Sequence, residues 1–122
     1  YRTGISRMND YELMNSIFSN FIVNGKTIPA GYLTYDGKET TYITYTFTAD
    51  RPALFGDDKE LESVITIDID IFSKGNFLAI EDKVKEVMEN NDFIRIDSSP
   101  DMYEKETGLY HKTLEFEKVR NK

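Results

Sequence analysis

The chain has 122 residues, of which 39% are hydrophobic, and its eight tyrosines and eight phenylalanines fit one domain with one core. Its formal net charge of −7 argues against a general nucleic-acid-binding protein, because phosphate contacts need clustered Lys and Arg, and here carboxylates outnumber them. The absence of cysteine excludes a disulfide framework, a thiolate metal site and a cysteine nucleophile.

Neither a membrane segment nor an export signal is predicted from the sequence. No apolar run approaches the roughly 18 residues of a membrane-spanning helix, and the first residues lack the apolar centre of a signal peptide. We therefore expect a soluble protein made in the cytoplasm. Residues Tyr1–Arg7 are polar, basic and without periodicity, which predicts a flexible N-terminal extension, either native or a non-native remnant. A single domain is expected to cover residues 8–122.

The first predicted element is a helix that begins near Met8. Asn9 or Asp10 is suited to cap it, because their side chains accept hydrogen bonds from the first free amides of a helix. The apolar residues that follow have the spacing of one buried stripe: Leu13, Met14, Ile17, Phe18 and Phe21. We therefore expect this helix to pack one side against the core.

Two dipeptides after this helix predict tight turns. Asn24-Gly25 and Asp36-Gly37 both tolerate the positive φ angles that two-residue hairpin turns require. Pro29 disfavours a long central strand between them, since proline has no amide hydrogen to donate to a neighbouring strand. This segment is therefore expected to be a hairpin-like excursion.

Thr40–Ala49 is predicted to be a strand, because Ile43, Tyr45 and Phe47 alternate with polar and β-branched residues. The opposite side carries Tyr42, Thr44, Thr46 and Thr48. The alternation stops at Asp50–Glu60, which contains a proline, a glycine and adjacent aspartates. We expect this segment to be a mobile loop with exposed carboxylates that joins neighbouring antiparallel strands.

Between residues 61 and 96 the hydrophobic period changes from two to about three and a half, and then back to two. Val64–Phe72 is predicted to be a half-buried strand. Its apolar side carries Ile65, Ile67, Ile69 and Ile71. Asn76–Asn90 is predicted to be a helix packed on a sheet. Its apolar stripe consists of Phe77, Ile80, Val84, Val87 and Met88.

The remaining segments predict two further strands. Phe93–Ile96 is a short strand, Ser98–Gly108 is a loop, and Leu109–Glu117 is a last strand. In this last strand the common apolar face carries Tyr110, Leu114 and Phe116. The predicted order is therefore helix, hairpin-like excursion, two strands, helix and two strands.

No group of residues predicts catalysis, a cofactor or a metal, and we expect a protein that is not an enzyme. His111, the sole histidine, lies on the side of its strand opposite Tyr110, where a structural or surface role is favoured over a general base or a ligand. Asp57-Asp58 and the pair Asp68 and Asp70 offer oxygens for a hard cation, but no dedicated calcium-loop spacing accompanies them, which favours solvated acidic faces.

The glycines likewise point to turns and not to a nucleotide site. Gly25, Gly31 and Gly37 have the spacing of turn residues, and no glycine-rich loop leads from a strand into a helix.

Four tyrosines are crowded into one short segment. Each of them fits core packing or cross-strand pairing, but a domain this small cannot bury the whole group, and exposed aromatic residues are typical anchors of protein interfaces. The candidate interface residues in this segment are Tyr32, Tyr35, Tyr42 and Tyr45.

Several short motifs, in order, carry a resemblance to a known family. The strongest two are Asp-Ile-Phe-Ser-Lys-Gly-Asn, at residues 70–76, and Thr-Gly-Leu-Tyr-His-Lys, at residues 107–112. Further motifs lie at 26–32, 41–45 and 56–58. Together they span about Ile28–Phe116, and the chain resembles the tail-terminator or tail-completion (head–tail joining) proteins of long-tailed phages and prophages of Gram-positive bacteria.

This resemblance implies an α+β fold with a mixed or largely antiparallel sheet of about four strands and two flanking helices, like the lambda-type tail terminators. It implies a hexameric ring that caps the tail tube and offers a surface to the head connector. The implied partners are further copies of the chain, the major tail tube protein and the head-completion protein, without a membrane. DNA would pass through the acidic lumen without sequence-specific binding, and the protein would reside in the virion after assembly in the host cytoplasm.

A ring needs two unlike surfaces on each subunit. The Tyr32–Tyr45 segment is one candidate, and a sheet edge near Ser63–Asp70, with Asp68 and Asp70, is the other. Within the phage context, the alternative is a head-completion or minor capsid protein at the portal connector. From another class, the alternative is a small metal- or nucleotide-dependent enzyme.

Overall fold

The computed structural model describes residues 7–56 and 59–121. This part of the chain has an α+β fold with two helices and a mixed, largely antiparallel sheet, as expected. The elements are α1 Arg7–Phe18, β1 Ile22–Val23, β2 Lys26–Thr27, β3 Ala30–Tyr32, β4 Tyr42–Gly56, β5 Lys59–Ser73, α2 Leu78–Glu89, β6 Ile94–Ser98, β7 Met102–Glu104 and β8 Leu109–Asn121. The predicted extension lies outside the described residues except for Arg7, which begins α1.

The main sheet has six strands, so the prediction of about four was too low. Its order is β3-β4-β5-β8-β6, and β7 pairs with β8 next to β6. β3 and β4 run parallel, whereas the other pairs are antiparallel. β5 lies in the middle, paired with β4 on one side and β8 on the other. The predicted sheet edge near Ser63–Asp70 is therefore wrong, because these residues belong to an interior strand.

β4 and β5 form one long hairpin where the sequence predicts a loop. Residues 50–56 continue β4 and residues 59–60 begin β5, with pairs such as Arg51 to Val64 and Gly56 to Lys59. Register shifts beside Pro52 and Leu54 accommodate the irregular sequence, and β4 beyond Tyr45 has no described neighbour on its other side. An edge strand with bulges tolerates proline, which explains why the predicted loop is a strand. Asp57-Asp58 lies outside the described residues.

The core lies between one face of the main sheet and the two helices. The four isoleucines predicted on one side of β5 are fully buried, as are Leu114 and Phe116 of β8. α1 contributes Met14 and Phe18, while Phe21 is buried just beyond its end. α2 contributes Ile80, Val84 and Met88. We call this face of the sheet the inner face, and the opposite one the outer face.

The two predicted tight turns have different outcomes. Asn24 and Gly25 have φ angles of 52° and 79° and connect β1 to β2, which confirms the first hairpin. Asp36-Gly37 instead lies in the connection between the parallel strands β3 and β4, and Gly37 does not have a positive φ. The second hairpin prediction is wrong, because neighbouring parallel strands cannot be joined by a two-residue turn.

Smaller differences concern helix ends and one loop. Asp10 does not cap α1 but lies within it. The amide of Leu78 at the start of α2 donates to the Asn76 side chain, with 2.9 Å between nitrogen and oxygen. The predicted loop Ser98–Gly108 contains the short strand β7, which pairs with the beginning of β8.

Candidate interaction surfaces

The outer face of the main sheet is left uncovered by the helices. The buried hydrophobic side chains of both helices belong to the core cluster of the inner face. On the outer face of β4, β5 and β8 the side chains are mostly aromatic, threonine or carboxylate and are partly exposed. An antiparallel sheet can leave one face in contact with water, so this face is available to other molecules.

Four stacked rings cross one end of the outer face, and we call them the aromatic row: Tyr35, Tyr42, Phe72 and His111. Neighbouring ring centroids are 4.6, 4.8 and 4.2 Å apart, and the planes are inclined by 24°, 20° and 18°. Tyr42, Phe72 and His111 are direct cross-strand neighbours on β4, β5 and β8. The row is partly buried, which gives it a rigid shape with an accessible edge.

Tyr35 extends the aromatic row from the connection between β3 and β4. Its hydroxyl accepts a hydrogen bond from the amide of Glu39 at 3.0 Å, which fixes the ring on Tyr42. A Cβ at Gly37 would overlap the Tyr35 hydroxyl, so glycine is needed there for this ring position. Burial, together with the neighbouring Glu104 and Tyr35, raises the pKa of the Tyr42 hydroxyl.

The other two predicted interface tyrosines lie on the helix side. Tyr45 is 6% exposed and stacks on Phe18, and burial raises its pKa. Tyr32 is 38% exposed and contacts the Tyr11 ring of α1, with 3.1 Å between the two hydroxyls. The four tyrosines therefore do not form one surface: Tyr35 and Tyr42 lie on the outer face, and Tyr45 belongs to the core.

Next to the aromatic row, carboxylates occupy the middle of the outer face. We call Asp68, Asp97 and Glu115 the acidic band. Asp68 of β5 and Asp97 of β6 are both cross-strand neighbours of Glu115 on β8. Burial raises the pKa of Asp68, and the charges of Glu115, Asp70 and Asp97 raise it further. A small cavity of about 200 Å³ lies between these side chains.

Asp70 and His111 are held by each other and by their neighbours. His111 Nε2 is 3.1 Å from Asp70 Oδ1, which also accepts a hydrogen bond from the Thr113 hydroxyl. His111 Nδ1 lies 4.0 Å from a Glu104 oxygen, while its ring stacks on Phe72. These contacts give the histidine a structural place in the aromatic row.

Two further features of the described residues concern metal binding and membrane insertion. Within residues 7–56 and 59–121, no three His, Cys, Asp or Glu side chains are grouped so that they could hold a metal ion. No helix in this part of the chain has the length and apolarity to cross a membrane.

A buried ion cluster centred on Arg120 was not predicted. Its guanidinium binds Asp10 of α1 at 2.5 Å, Asp50 of β4 through both carboxylate oxygens at 2.7 Å, and the Ser63 hydroxyl of β5 at 3.2 Å. Asp10 and Arg120 are 6% and 7% exposed. Burial raises the pKa of Asp10, and the adjacent guanidinium opposes this rise. Arg120 shares the inward parity of Leu114 and Phe116, a signal that could have revealed it.

Two cavities flank the connection between β5 and α2. The first, of about 510 Å³, lies beside the β1–β2 hairpin and is lined by Lys26, Lys74, Ile28 and Ile80 among others. We call it the lysine cavity. The second, of about 520 Å³, has Leu78, Asp101 and Tyr110 in its wall. Residues 74–76 separate the two cavities and are exposed.

Comparison with known proteins assigns no family to this chain. No protein-family model matches the chain, and no curated protein is significantly similar to it.

Proposed function

We propose that this protein is a phage structural protein that caps the tail tube as a ring and joins the tail to the head. Two lines of evidence support the proposal. The motifs at residues 70–76 and 107–112 resemble those of tail-terminator proteins. The α+β fold with two helices agrees with the architecture that this resemblance implies.

The aromatic row on the uncovered sheet face carries the proposal. Its rings are stacked across three strands and partly exposed, and no described helix covers them. Preformed aromatic surfaces lose little conformational entropy on binding and are typical anchors of protein interfaces. The arrangement suits assembly with other proteins, as a tail-completion ring requires.

The test is replacement of Tyr42 by alanine in a phage complemented with the altered protein. We expect a folded subunit that fails to complete tails, because an anchoring aromatic residue contributes about 2 kcal/mol or more to an interface. Negative-stain images should then show overlong or headless tails. Tyr103→Ala is the matched control, since this tyrosine is 55% exposed but lies outside the row on β7.

Gly37→Ala tests the same surface without removing a ring. The new methyl group displaces the end of the Tyr35 side chain, so we expect reduced tail completion with little loss of stability. Normal infectious particles from both Tyr42→Ala and Gly37→Ala would contradict the assigned interface. Binding of the purified protein to connectors but not to tail tubes would instead favour head completion.

A further inference from the structure

The lysine cavity has an unusual charge for this protein. Two lysines and no carboxylate line it, although the chain has 22 acidic and 15 basic residues. The remaining lining includes apolar side chains such as Val23, Ile28 and Ile80. A cavity of this volume with apolar walls and a few polar groups is typical of a binding site.

Neither lysine of this cavity has an ionic partner within the described residues. The ion pairs of this part of the chain involve Lys83, Lys85 and Lys112 but not Lys26 or Lys74. Both residues are exposed, and the Lys74 amide, not its ammonium group, donates to Thr41. Their charges are therefore available to an anionic partner.

The acidic band of the outer face carries charges of the opposite, negative sign, which are unpaired among the described residues. Asp68, Asp97 and Glu115 form no ion pair with a described residue, and the three carboxylates repel one another. A partner that brings ammonium groups to this band would relieve that repulsion. The two surfaces are therefore complementary in charge.

The lysine cavity and the acidic band of one chain cannot contact each other. The lysine cavity includes Ile28 and Ile80 of the core, on the helix side, whereas the acidic band lies on the opposite side of the sheet. We propose that Lys26 and Lys74 of one copy bind the acidic band of a second copy. This contact is heterologous, and such contacts generate rings or filaments. Its role as the ring interface rests on the proposed function, but the contact itself does not.

The experiment uses two charge-reversed forms of the full chain. The first carries Lys26→Glu and Lys74→Glu, and the second carries Asp68→Lys and Glu115→Lys. Each form alone would bring like charges together, so we expect its self-association to weaken by roughly 30-fold or more. An equimolar mixture again joins opposite charges, and we expect it to assemble. Light scattering at about 0.05 M salt reports the assembly, which about 0.5 M salt should weaken.

Circular dichroism must show that both forms fold. Lys38→Glu with Lys105→Glu is the matched control, because it makes the same change in net charge at exposed positions outside the cavity. Carbodiimide joins a carboxylate to a primary amine only where the two are in contact, and it should link Lys74 to Asp68 or Glu115 between isotopically distinct copies of the parent. This measurement does not depend on the folding of any variant.

A mixture of folded reversed forms that stays monomeric would overturn the proposal, as would reversed forms that assemble like the parent. A parent that neither associates nor forms these cross-links would also overturn it. If the mixture assembles but the parent protein does not bind tail tubes, the contact between copies stands and only the proposed function is refuted. Tail completion that is unchanged in both reversed forms would refute the contact and leave that function standing.

Discussion

Asp68 faces a like charge directly across the sheet, on Glu115. Burial and the nearby carboxylates raise the pKa of Asp68 above its ordinary value. A group whose pKa is higher in the folded state stabilises the fold when protonated, and this contribution is lost as the pH rises through the folded-state pKa. At neutral pH the ionised Asp68 therefore lowers the free energy of unfolding.

We expect Asp68→Asn to stabilise the protein at about pH 7 by about 0.2–1 kcal/mol, the range for like charges directly opposite in a sheet. The difference should disappear near pH 3, where the parent carboxyl is protonated. Urea unfolding at both values of pH measures it. A variant that is less stable than the parent at neutral pH would show that the repulsion is not significant.

Ile67 lies one residue away on the inner face and is fully buried. We expect Ile67→Asp to abolish folding, because burying an unpaired carboxylate costs several kcal/mol, which rivals the stability of a small domain. Far-ultraviolet circular dichroism of the purified variant checks this. If Ile67→Asp and Asp68→Asn unfolded at the same urea concentration, the assignment of the two faces would be wrong.

Arg120 is a stronger determinant of stability than the surface ion pairs. We expect Arg120→Leu to destabilise the protein by about 3–5 kcal/mol at neutral pH, because Asp10 and Asp50 would lose their buried counter-charge. The loss should shrink in acid, because burial raises the pKa of Asp10 and its carboxyl is then protonated. Arg51→Leu is the control, since Arg51 is exposed and 3.9 Å from Glu117, and such pairs contribute about 0–1 kcal/mol.

The side of a strand on which a residue lies was predictable from alternation, but its partners were not. The inward isoleucines of β5 were correctly identified, since a period of two is a local property. The stacking of Phe72 on His111 joins residues of two strands and depends on their register. The same applies to Arg120 and Asp10, which are separated by most of the chain.

At the scale of elements, β5 is the most enclosed strand. It is paired with β4 and β8 over most of its length, and its inner side chains are buried. We expect the amides of Ile65–Ile71 to exchange with solvent at the slowest, global rate. Amides of residues 50–52, which the sequence assigned to a loop, should also be protected where they pair with β5. Exchange of Arg51 as fast as that of the β3–β4 connection would contradict the long hairpin.

The helices were predicted within a few residues, whereas the hairpin was misjudged. Amphipathic stripes of both helices are intrinsic to the sequence. Proline, glycine and adjacent aspartates between residues 50 and 60 are turn formers by composition, and only the position of β4 at an edge makes a bulged strand possible there. Short strands such as β3 and β7 depend on longer neighbours and leave no periodic signal.

At the scale of the whole molecule, the two faces of the main sheet have different surroundings. The inner face supplies the core with both helices, while the outer face carries the aromatic row and the acidic band. Removing the aromatic row should therefore affect assembly more than folding, in contrast to changes of Tyr45. We expect Tyr45→Ala to lower the free energy of unfolding by about 3–5 kcal/mol, as for other large aromatic residues in a core. Thermal unfolding of Tyr45→Ala and Tyr42→Ala compares the two.

The contact between Asp10 and Arg120 has a consequence for biosynthesis. During translation α1 emerges from the ribosome long before β8. The ion pair between Asp10 and Arg120 therefore cannot form until β8 has been synthesised. Contacts so distant in sequence form late because closing the chain costs entropy. We therefore expect α1 to be fixed to the sheet among the last events of folding, although it is translated before every strand of that sheet.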